Sequence, residues 1–599
     1  MALTTKSHSF FGSVFFAIVT ICIAYRGFQV STLTASLDYG TFQGAYSSTY
    51  NITYWTKIPF AAPPLGENRF RAPQPPTPIP NGAVYNSTQG FDSCPQGSHG
   101  GTEDCLYLGL YSRPWSPPQP LRPVVVNFYG GGFIQGGGSF TLPPPGFPVL
   151  NVSSTNDFIF VSPNYRVNAF GFLPGKEIAS NPNSDTNVGL LDQQAALQWT
   201  QKYIEFFGGD PENVAIWGQS AGAGSVVAHV IASGGKASPP LFTKALASSP
   251  YWPKTYRFDA PEAQSVYDAF ARLAGCNVGA MVSGVPVNDS LACLKAADLQ
   301  TLRTAALYIS GSHKYTSSSF TWAPVIGDSF LPQSLSQASL NGDVNVDFAF
   351  GMYNAFEGES FLPPELNDLS SSANKNKNDI SSTRKQGVAH KARSGHQQQN
   401  KPPKNRKGMM MIPHLNSSTM QPSLFETWLR GFLPGFSDMD IQLVEEMYPS
   451  NGTIEVTGSY DTDYLRAQFI YRDLILACPA LWLSSGAQRA GYMGQYAIPP
   501  AVHSSGREFY YAVMNPGLQQ SGDGTYVGYA GAFASFLETG DPNAHKFTNT
   551  SVFGVPEINL TNEEWVVLPG GEFGNVFLGS NTLRQRCGFW REMAAAVPF

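Results

Sequence analysis

The chain has 599 residues, of which 42% are hydrophobic and only 13% are charged, and its formal net charge is −6. The apolar fraction is sufficient for a large core, and a chain of this length forms either several domains or one large α/β domain with insertions. The weakly acidic balance gives no reason to expect nucleic acid or another polyanion as a partner.

The N-terminus carries an apolar run directly after two basic or polar residues. Lys6 and His8 precede residues 10–25, which are mostly apolar and fewer than the roughly 20 that a membrane-spanning helix requires. Residues 1–25 are therefore predicted to be a signal peptide, and an uncleaved signal anchor is the alternative. The first interpretation predicts a secreted protein. The second predicts a type II membrane protein that contacts the membrane only through this segment.

Sequons and cysteines agree with passage through a secretory compartment. Of the seven cysteines, Cys22 lies in the leader, and the remaining even number of six suggests three disulfide bonds. Spacing alone leaves their pairing open, and no Cys-X-X-Cys or His-rich cluster indicates a metal site. The eight candidate glycan acceptors in Asn-X-Ser/Thr sequons are Asn51, Asn86, Asn151, Asn288, Asn416, Asn451, Asn549 and Asn559.

Strand-like and helical segments alternate through the first half of the chain. Residues 121–129 form a β-branched run between a proline and a glycine cluster, and residues 157–165, 213–218 and 244–249 have a similar character. Residues 189–208 carry apolar side chains at helical spacing. This alternation predicts a mostly parallel sheet that is covered by helices on both faces.

Ser220 lies between two glycines in the pentapeptide GQSAG, residues 218–222. Because the chain contains 59 glycines, the pentapeptide alone carries little weight. Its context is stronger, since a strand-like segment precedes it and a helix of small residues follows. Strand, sharp turn and helix form a nucleophile elbow, in which a strained turn exposes the serine. The alternative is a structural Gly-Ser turn. His229, in the following helix, is interpreted as a core or surface histidine.

A glycine-rich loop, residues 128–139, directly follows the first of these strands. Three consecutive glycines allow backbone N–H groups to turn toward one point without an obstructing side chain, which suits an oxyanion hole. The alternative is a phosphate-binding loop. The sequence lacks both the GxxxxGK[ST] motif and a GxGxxG motif that opens a helix, so no nucleotide cofactor is expected.

Residues 370–411 interrupt this pattern with a polar, basic segment that contains ten Lys or Arg residues and one acidic residue, Asp379. Such a segment buries too little apolar surface to offset the entropy lost on ordering. It is predicted to be a disordered surface insertion. A polyanion-binding arm is the alternative, and an intron read as coding sequence would have the same composition.

Taken together, these segments resemble the type-B carboxylesterase/lipase family of the α/β-hydrolase fold, which includes the acetylcholinesterases. The resemblance implies one α/β-hydrolase domain over residues 36–599, with a central, mostly parallel sheet, flanking helices and large insertions. The matching segments occur in the family's order. They are residues 58–76 (IPFAAPPLGENRFRAPQPP), 102–111 (TEDCLYLGLY), 129–133 (YGGGF), 163–173 (PNYRVNAFGFL), 187–225 and 536–543 (FLETGDPN).

The resemblance implies a catalytic triad of Ser220, Glu357 and His503. Glu357 follows a strand in the segment FAFGMYNAFEGESF, and His503 follows the two prolines of YAIPPAVH. A serine hydroxyl needs an adjacent base, histidine suits that role near neutral pH, and a carboxylate orients the imidazole. Glu359 is the rival acid and His545 the rival base.

The resemblance also supplies an oxyanion hole and the cysteine pairing. The implied oxyanion donors are the N–H groups of Gly131, Gly132 and Ala221, and Glu103 and Arg166 are implied to be framework ion-pair residues. No cofactor is implied. The implied disulfides are Cys94–Cys105, Cys276–Cys293 and Cys478–Cys587.

Three residues near the implied site depart from the commonest family pattern. Gln219 stands before the elbow serine, where glutamate is commonest, so a nearby charge is lost. Tyr129 occupies a position where many carboxylesterases have histidine, although cholinesterases also have tyrosine there. Ser504 follows His503 in place of glycine, in a loop one residue longer than usual.

The segment between Cys94 and Cys105 has only ten residues and no aromatic side chain. Lidded lipases have a much longer flap there, and cholinesterases place a choline-binding tryptophan there, because cation–π recognition needs an aromatic face. The sequence therefore favours a general carboxylic ester hydrolase acting on a small-molecule carboxylic ester through an acyl-enzyme. A triacylglycerol lipase is one alternative, and a catalytically inactive, cholinesterase-like binding or adhesion protein is another.

Overall fold

The computed structural model describes residues 33–80, 82–97, 100–312, 321–367, 423–455, 458–510, 524–545, 554–579, 582–596 and 599. The predicted leader, residues 1–25, and the predicted insertion, residues 370–411, lie outside the described residues. In the part of the chain that is described, no helix is both long and apolar enough to cross a membrane.

Eighteen strands are present in the described residues. They are β1 (Thr34–Leu37), β2 (Gly40–Gln43), β3 (Ala45–Ser47), β4 (Ile52–Pro59), β5 (Val84–Asn86), β6 (Tyr107–Ser112), β7 (Arg122–Phe128), β8 (Ile159–Pro163), β9 (Gly209–Gln219), β10 (Lys244–Ser248), β11 (Met281–Val282), β12 (Val285–Pro286), β13 (Phe348–Asn354), β14 (Gly452–Ile454), β15 (Gly458–Tyr460), β16 (Ala490–Tyr496), β17 (Glu563–Leu568) and β18 (Glu572–Phe577).

Eleven of these strands form one sheet in the order β18-β17-β16-β13-β10-β9-β7-β8-β6-β4-β3. The seven central strands, from β17 to β8, are parallel, whereas β18 at one edge and β6, β4 and β3 at the other are antiparallel. The predicted mostly parallel sheet and the α/β-hydrolase fold are therefore confirmed. The four strand-like segments of the sequence correspond to β7, β8, β9 and β10.

Helices connect and cover the strands. The segment with helical spacing over 189–208 divides into a helix at Val188–Tyr203 and a short 3₁₀ turn at Ile204–Phe207. The helices are α1 (Phe147–Val152), α2 (Asn168–Phe172), α3 (Lys176–Ser180), α4 (Val188–Tyr203), α5 (Ala221–Val230), α6 (Ala232–Gly235), α7 (Pro261–Leu273), α8 (Ser290–Ala296), α9 (Leu299–Ser312), α10 (Leu335–Asn341), α11 (Leu424–Phe432), α12 (Asp438–Met447), α13 (Asp463–Arg472), α14 (Cys478–Gly486), α15 (Arg507–Tyr510), α16 (Gly524–Thr539), α17 (Ile558–Thr561) and α18 (Leu583–Glu592).

The hydrophobic core occupies both faces of the large sheet. Along β7, Val124 and Val126 pack into one apolar cluster and Val125 packs into the other, because successive side chains of a strand point to opposite faces. All three valines are fully buried. Both faces must therefore be apolar, which explains why the central strands appear in the sequence as continuous hydrophobic runs and not as alternating ones.

The structure contains the three disulfides that the family resemblance implied. Cys94 bonds to Cys105, Cys276 bonds to Cys293, and Cys478 in α14 bonds to Cys587 in α18. The last bond joins residues 109 positions apart. It closes a long loop, and long loops lose the most chain entropy in the unfolded state when they are cross-linked.

The sequon asparagines that lie within the described residues are all exposed. These are Asn51, Asn86, Asn151, Asn288, Asn451 and Asn559. The remaining two, Asn416 and Asn549, lie outside the described residues.

A cluster of buried charges lies between the end of α13, α18 and the sheet. The carboxylate of Asp473 forms salt bridges with the guanidinium groups of Arg472 at 2.5 Å and Arg586 at 2.6 Å. Arg586 also forms a salt bridge with Glu455 at 2.8 Å. Burial opposes the ionisation of Asp473, but the two guanidinium groups hold its pKa below the usual value. A third carboxyl group, Glu564 on β17, has its pKa raised to about 8 by burial and by the charge of Glu455.

The raised pKa of Glu564 predicts that this group makes the protein less stable as the pH rises. Its folded pKa of about 8 lies above its ordinary value of 4.5, so the folded state holds an extra proton between these two values. The free energy of unfolding should fall across this window, by up to about 1.4 kcal/mol per pH unit. The substitution Glu564→Gln introduces an amide that is neutral at every pH, so it should remove this pH-dependent part of the free energy of unfolding.

Melting temperatures of the wild-type protein and Glu564→Gln at pH 5, 6.5 and 8 measure the effect. At pH 5 both side chains are neutral and Gln can still accept the hydrogen bond from the Tyr353 hydroxyl, so the two proteins should melt within a few degrees of each other. The melting temperature of the variant should rise relative to that of the wild type as the pH rises. Parallel melting temperatures across the range would show that Glu564 carries no extra proton.

Candidate active site

Ser220 occupies the sharp turn between β9 and α5. Its backbone has φ 60° and ψ −128°, a conformation that non-glycine residues rarely adopt. The surrounding backbone holds this turn in place, because the Ser220 N–H donates to Ser248 O at 3.0 Å and its carbonyl accepts from Tyr251 N at 3.1 Å. The side chain therefore projects from the carboxyl end of a central strand, at the start of a helix.

The glycines around Ser220 are required by close backbone contacts. A Cβ atom on Gly218 would lie 2.2 Å from the carbonyl oxygen of Gly222, and a Cβ on Gly222 would lie 2.1 Å from Phe128 O. A Cβ on Gly130 would lie 2.5 Å from Gln219 O. The helix, the turn and the glycine-rich loop thus approach one another at backbone contact distance, which only glycine allows.

The structure brings Ser220, His503 and Glu357 into one chain of hydrogen bonds. His503 Nε2 lies 2.7 Å from Ser220 Oγ, and His503 Nδ1 lies 3.0 Å from Glu357 Oε2. The Glu357 side chain is fully buried, whereas that of His503 is 11% exposed. The imidazole therefore connects a buried carboxylate to a hydroxyl at the surface of a cavity.

Two residues that the sequence analysis did not identify hold Glu357 in place. Ser249 Oγ donates to Glu357 Oε1 at 2.6 Å, and the backbone N–H of Asn354 donates to the same oxygen. The side-chain amide of Asn354 also donates to the carbonyl of Val502, next to His503, at 2.7 Å. Ser249 had one sequence signal: it directly follows β10, whose carboxyl end adjoins that of β9, and ligands of α/β sheets bind at such ends.

The rival residues considered from the sequence lie elsewhere. Glu359 is exposed, and His545 contacts Glu538 at 3.6 Å. His229 is buried in α5, with Nε2 3.1 Å from the side-chain oxygen of Gln193, and burial lowers its pKa to about 3. His229 is thus a core histidine, as interpreted from the sequence.

The Ser220 hydroxyl faces a cavity of about 1050 Å³. The glycine-rich loop, including Gly131 and Gly132, forms one wall of this cavity. Ala221 is the first residue of α5, where the N–H groups of a helix have no partner within the helix. Apolar side chains from Ile134, Phe140, Leu142 and Phe361 form much of the remaining wall.

Tyr129, one of the departures from the family pattern, is a fixed part of this wall. Its ring stacks on Tyr165 with 4.1 Å between the centroids. Each hydroxyl donates to the other residue's carbonyl, at 2.5 Å from Tyr129 and 2.6 Å from Tyr165. Burial raises the pKa of Tyr129 well beyond its ordinary value, so the phenol stays neutral.

The short segment between Cys94 and Cys105 supports the glycine-rich loop. The Gln96 amide donates to Gly136 O at 2.7 Å, and its oxygen accepts from Gly136 N at 2.8 Å. Nearby, the two predicted framework residues form buried ion pairs, Glu103 with Arg69 at 2.6 Å and Arg166 with Asp192 at 2.7 Å. Among the described residues, no group of three or more His, Cys, Asp or Glu side chains could hold a metal ion.

The sequence model of the carboxylesterase family matches residues 31–443. The chain belongs to the carboxylesterase family. This match includes the elbow serine, the glycine-rich loop and Glu357, whereas His503 lies beyond its end.

Individual relatives agree with the family but differ in their named activities. A secreted triacylglycerol lipase of Gibberella zeae is 32% identical over 342 residues, covering 51% of this chain and 54% of the relative. The cholinesterase of Mus musculus is 35% identical over 335 residues, covering 52% and 51%. The chain thus spans about half the length of these relatives.

Solved structures match over nearly the whole chain. The crystal structure of EstA from Aspergillus niger superposes with a TM-score of 0.71 at 21% identity, and the match covers 94% of this chain and 99% of that one. At this identity the likeness establishes the shared fold.

The close packing of α5 on β7 predicts that Gly222→Ala is strongly destabilising. The added methyl group would overlap the Phe128 carbonyl, and relieving that overlap must displace a helix or a central strand, at a cost of about 3 kcal/mol. A lower melting temperature in thermal unfolding measures this.

Gly588→Ala is the matched control. Gly588 lies inside α18, and an added Cβ there would have no atom within 4 Å. Alanine favours a helix over glycine, so this variant should gain about 0.5–1 kcal/mol. Equal melting temperatures for the two variants would contradict the described packing.

Proposed function

We propose that this protein is a carboxylic ester hydrolase in which Ser220 is the nucleophile, His503 the general base and Glu357 the residue that orients the imidazole. The hydrogen-bond chain from Ser220 through His503 to Glu357, at the wall of a cavity, is the observation that carries the proposal. A catalytically inactive binding protein would have no need of this arrangement. Membership in the carboxylesterase family supports the same reaction class.

In the first half of the reaction, Ser220 Oγ attacks the ester carbonyl carbon while its proton moves to His503 Nε2. The carbonyl oxygen becomes an oxyanion, which the N–H groups of Gly131, Gly132 and Ala221 are proposed to stabilise. Glu357 stabilises the imidazolium that forms. The C–O bond of the ester then breaks, the alcohol leaves with the proton from His503, and an acyl-enzyme remains.

Water completes the reaction through the same groups. His503 takes a proton from a water molecule as that water attacks the acyl carbonyl, and the oxyanion forms again in the same place. When it collapses, Ser220 Oγ leaves and recovers its proton from His503. The products are a carboxylic acid and an alcohol, and the protein residues supply every proton transfer, so no cofactor enters the mechanism.

The cavity suits an ester substrate that carries apolar groups. Its walls combine apolar side chains, such as Phe140 and Leu142, with the backbone of the glycine-rich loop. The segment between Cys94 and Cys105 is too short for a lipase flap and has no aromatic residue for choline. A triacylglycerol lipase remains the second candidate, because a secreted triacylglycerol lipase is among the similar proteins.

Site-directed substitution of the nucleophile tests the proposal. Ser220→Ala removes the attacking oxygen and should lower the hydrolysis of p-nitrophenyl butyrate by at least about 10³-fold, since losing a triad member leaves only binding and the oxyanion hole. The variant should keep the wild-type circular dichroism spectrum. Undiminished hydrolysis by a folded Ser220→Ala protein would contradict the assignment.

A series of p-nitrophenyl esters separates the two candidate substrates. An esterase should hydrolyse the acetate and butyrate in solution faster than the palmitate. A lipase would prefer the long chain and become more active once the ester forms an emulsion.

We further propose that the protein acts outside the cell. Three disulfides form most readily in an oxidising compartment, and six sequon asparagines are exposed. If the protein is produced in a secreting eukaryotic cell, it should be recovered from the medium. Digestion with a glycosidase that removes Asn-linked glycans should then lower its apparent mass. Retention in the cell with an unchanged mass would contradict this.

A further inference from the structure

Two of the departures from the family pattern meet in space. Gln219 precedes the elbow serine and Ser504 follows the histidine, and the Gln219 Nε2 atom donates to Ser504 Oγ at 3.0 Å. Both residues line the cavity that contains Ser220 and His503. The hydrogen bond therefore joins the neighbour of the nucleophile to the neighbour of the base.

Ser504 occupies a backbone conformation that favours glycine. Its φ is +74°, in the left-handed region that side chains rarely adopt. A residue with a side chain is disfavoured here unless that side chain gains an interaction. Gln219 is only 4% exposed, and the hydrogen bond that its side chain donates to Ser504 is such an interaction.

The same short segment is also held on its other side. The Asn354 amide donates to the carbonyl of Val502, the residue before His503, at 2.7 Å. Asn354 belongs to β13 and Gln219 to β9, so residues of two central strands form hydrogen bonds to Val502 and Ser504, the two neighbours of the histidine. The imidazole itself lines the cavity, where it also packs against Phe361 with 5.0 Å between the ring centroids.

We propose that Gln219 is a positioning residue for His503, acting through its hydrogen bond to Ser504. This inference rests on the proposed function. The amide of Gln219 is neutral, so it positions the segment without placing a second carboxylate near the imidazole. The other charged groups around His503 are Glu357 behind it and Arg507 and Glu508 of α15 along the cavity wall.

Single and double variants test the coupling. Gln219→Ala and Ser504→Ala should each lower kcat for p-nitrophenyl butyrate about 3- to 10-fold, the effect of one lost hydrogen bond, with KM within about twofold of the wild-type value. The double variant should be no slower than the singles, because both changes break one contact. Ser504→Gly also removes the hydroxyl, and glycine adopts this backbone conformation without strain. This variant therefore keeps the test decisive if Ser504→Ala folds poorly.

Ser225→Ala is the matched control. Gln193 Nε2 donates to Ser225 Oγ at 2.9 Å, so this is a second buried Gln–Ser hydrogen bond, and it does not line the cavity. Its loss should lower the melting temperature and leave kcat unchanged. If this variant loses as much kcat as Ser504→Ala, the effect is structural and the proposal is wrong. Multiplying effects in the double variant, or a raised KM with kcat unchanged, would also overturn it.

Gln219→Glu tests the role of charge. A carboxylate can accept a hydrogen bond from the Ser504 hydroxyl, so the link is restored, but a negative charge near His503 favours imidazolium. The acidic limb of the pH profile of kcat/KM should move up by about one pH unit. The NMR titration of the His503 ring should move equally, whereas an unmoved titration in this variant would overturn the inference.

The NMR titration does not depend on turnover. If the wild-type protein hydrolyses no ester, the proposed function fails while the titrations still measure the link. If Ser220→Ala abolishes hydrolysis and neither Gln219→Ala nor Ser504→Ala changes kcat or the titration, only the present inference fails.

Discussion

The parallel alignment of four central strands is the constraint on which the candidate site depends. Gln219 at the end of β9 pairs with Ser248 at the end of β10, and Asn354 at the end of β13 pairs with Tyr496 at the end of β16. Each strand delivers one part of the site just beyond its last residue or within a short turn. A hydrogen bond between residues 283 positions apart in the chain becomes a local contact at one edge of the sheet. Close packing on both sheet faces fixes this register, because slipping a strand by one residue would move each side chain to the opposite face, where the neighbouring side chains are arranged to pack against a different one.

The fold and the elbow serine have local signals in the sequence, whereas Glu357 and His503 were predicted from the family resemblance. The elbow serine stands between glycines that backbone contact requires, and the central strands are apolar throughout. The signals of the neighbouring side chains are weaker. Ser249 is marked only by its place at the end of a strand-like segment, and its contact with Glu357 depends on two strands that lie far apart in the chain and adjacent in the sheet. Gln219 and Ser504 were each noticed as departures, but that they touch depends on long-range packing, which spacing along the chain does not report.

The hydrogen-bonded residues of the candidate site and the outer wall of its cavity come from different parts of the chain. Relatives named for lipase and cholinesterase activity each match about half of this sequence. The family match over residues 31–443 contains the elbow and the glycine-rich loop. The cavity wall beyond them comes from residues 139–145 and from the segment around α15. Differences in these loops alter what fits beside the serine while the hydrogen bonds of the serine and histidine remain in place.

The paired hydrogen bonds between Gln96 and Gly136 have a consequence for how such a site changes during evolution. They attach the glycine-rich loop to a small ring of chain that the Cys94–Cys105 bond closes. Residues inserted into this ring lengthen it without entering the sheet, because the covalent bond keeps its two ends together. The ring is therefore a place where sequence length can vary at low cost to folding, next to the glycine-rich loop that lines the cavity. Additions there can change the surroundings of the cavity without rebuilding its centre.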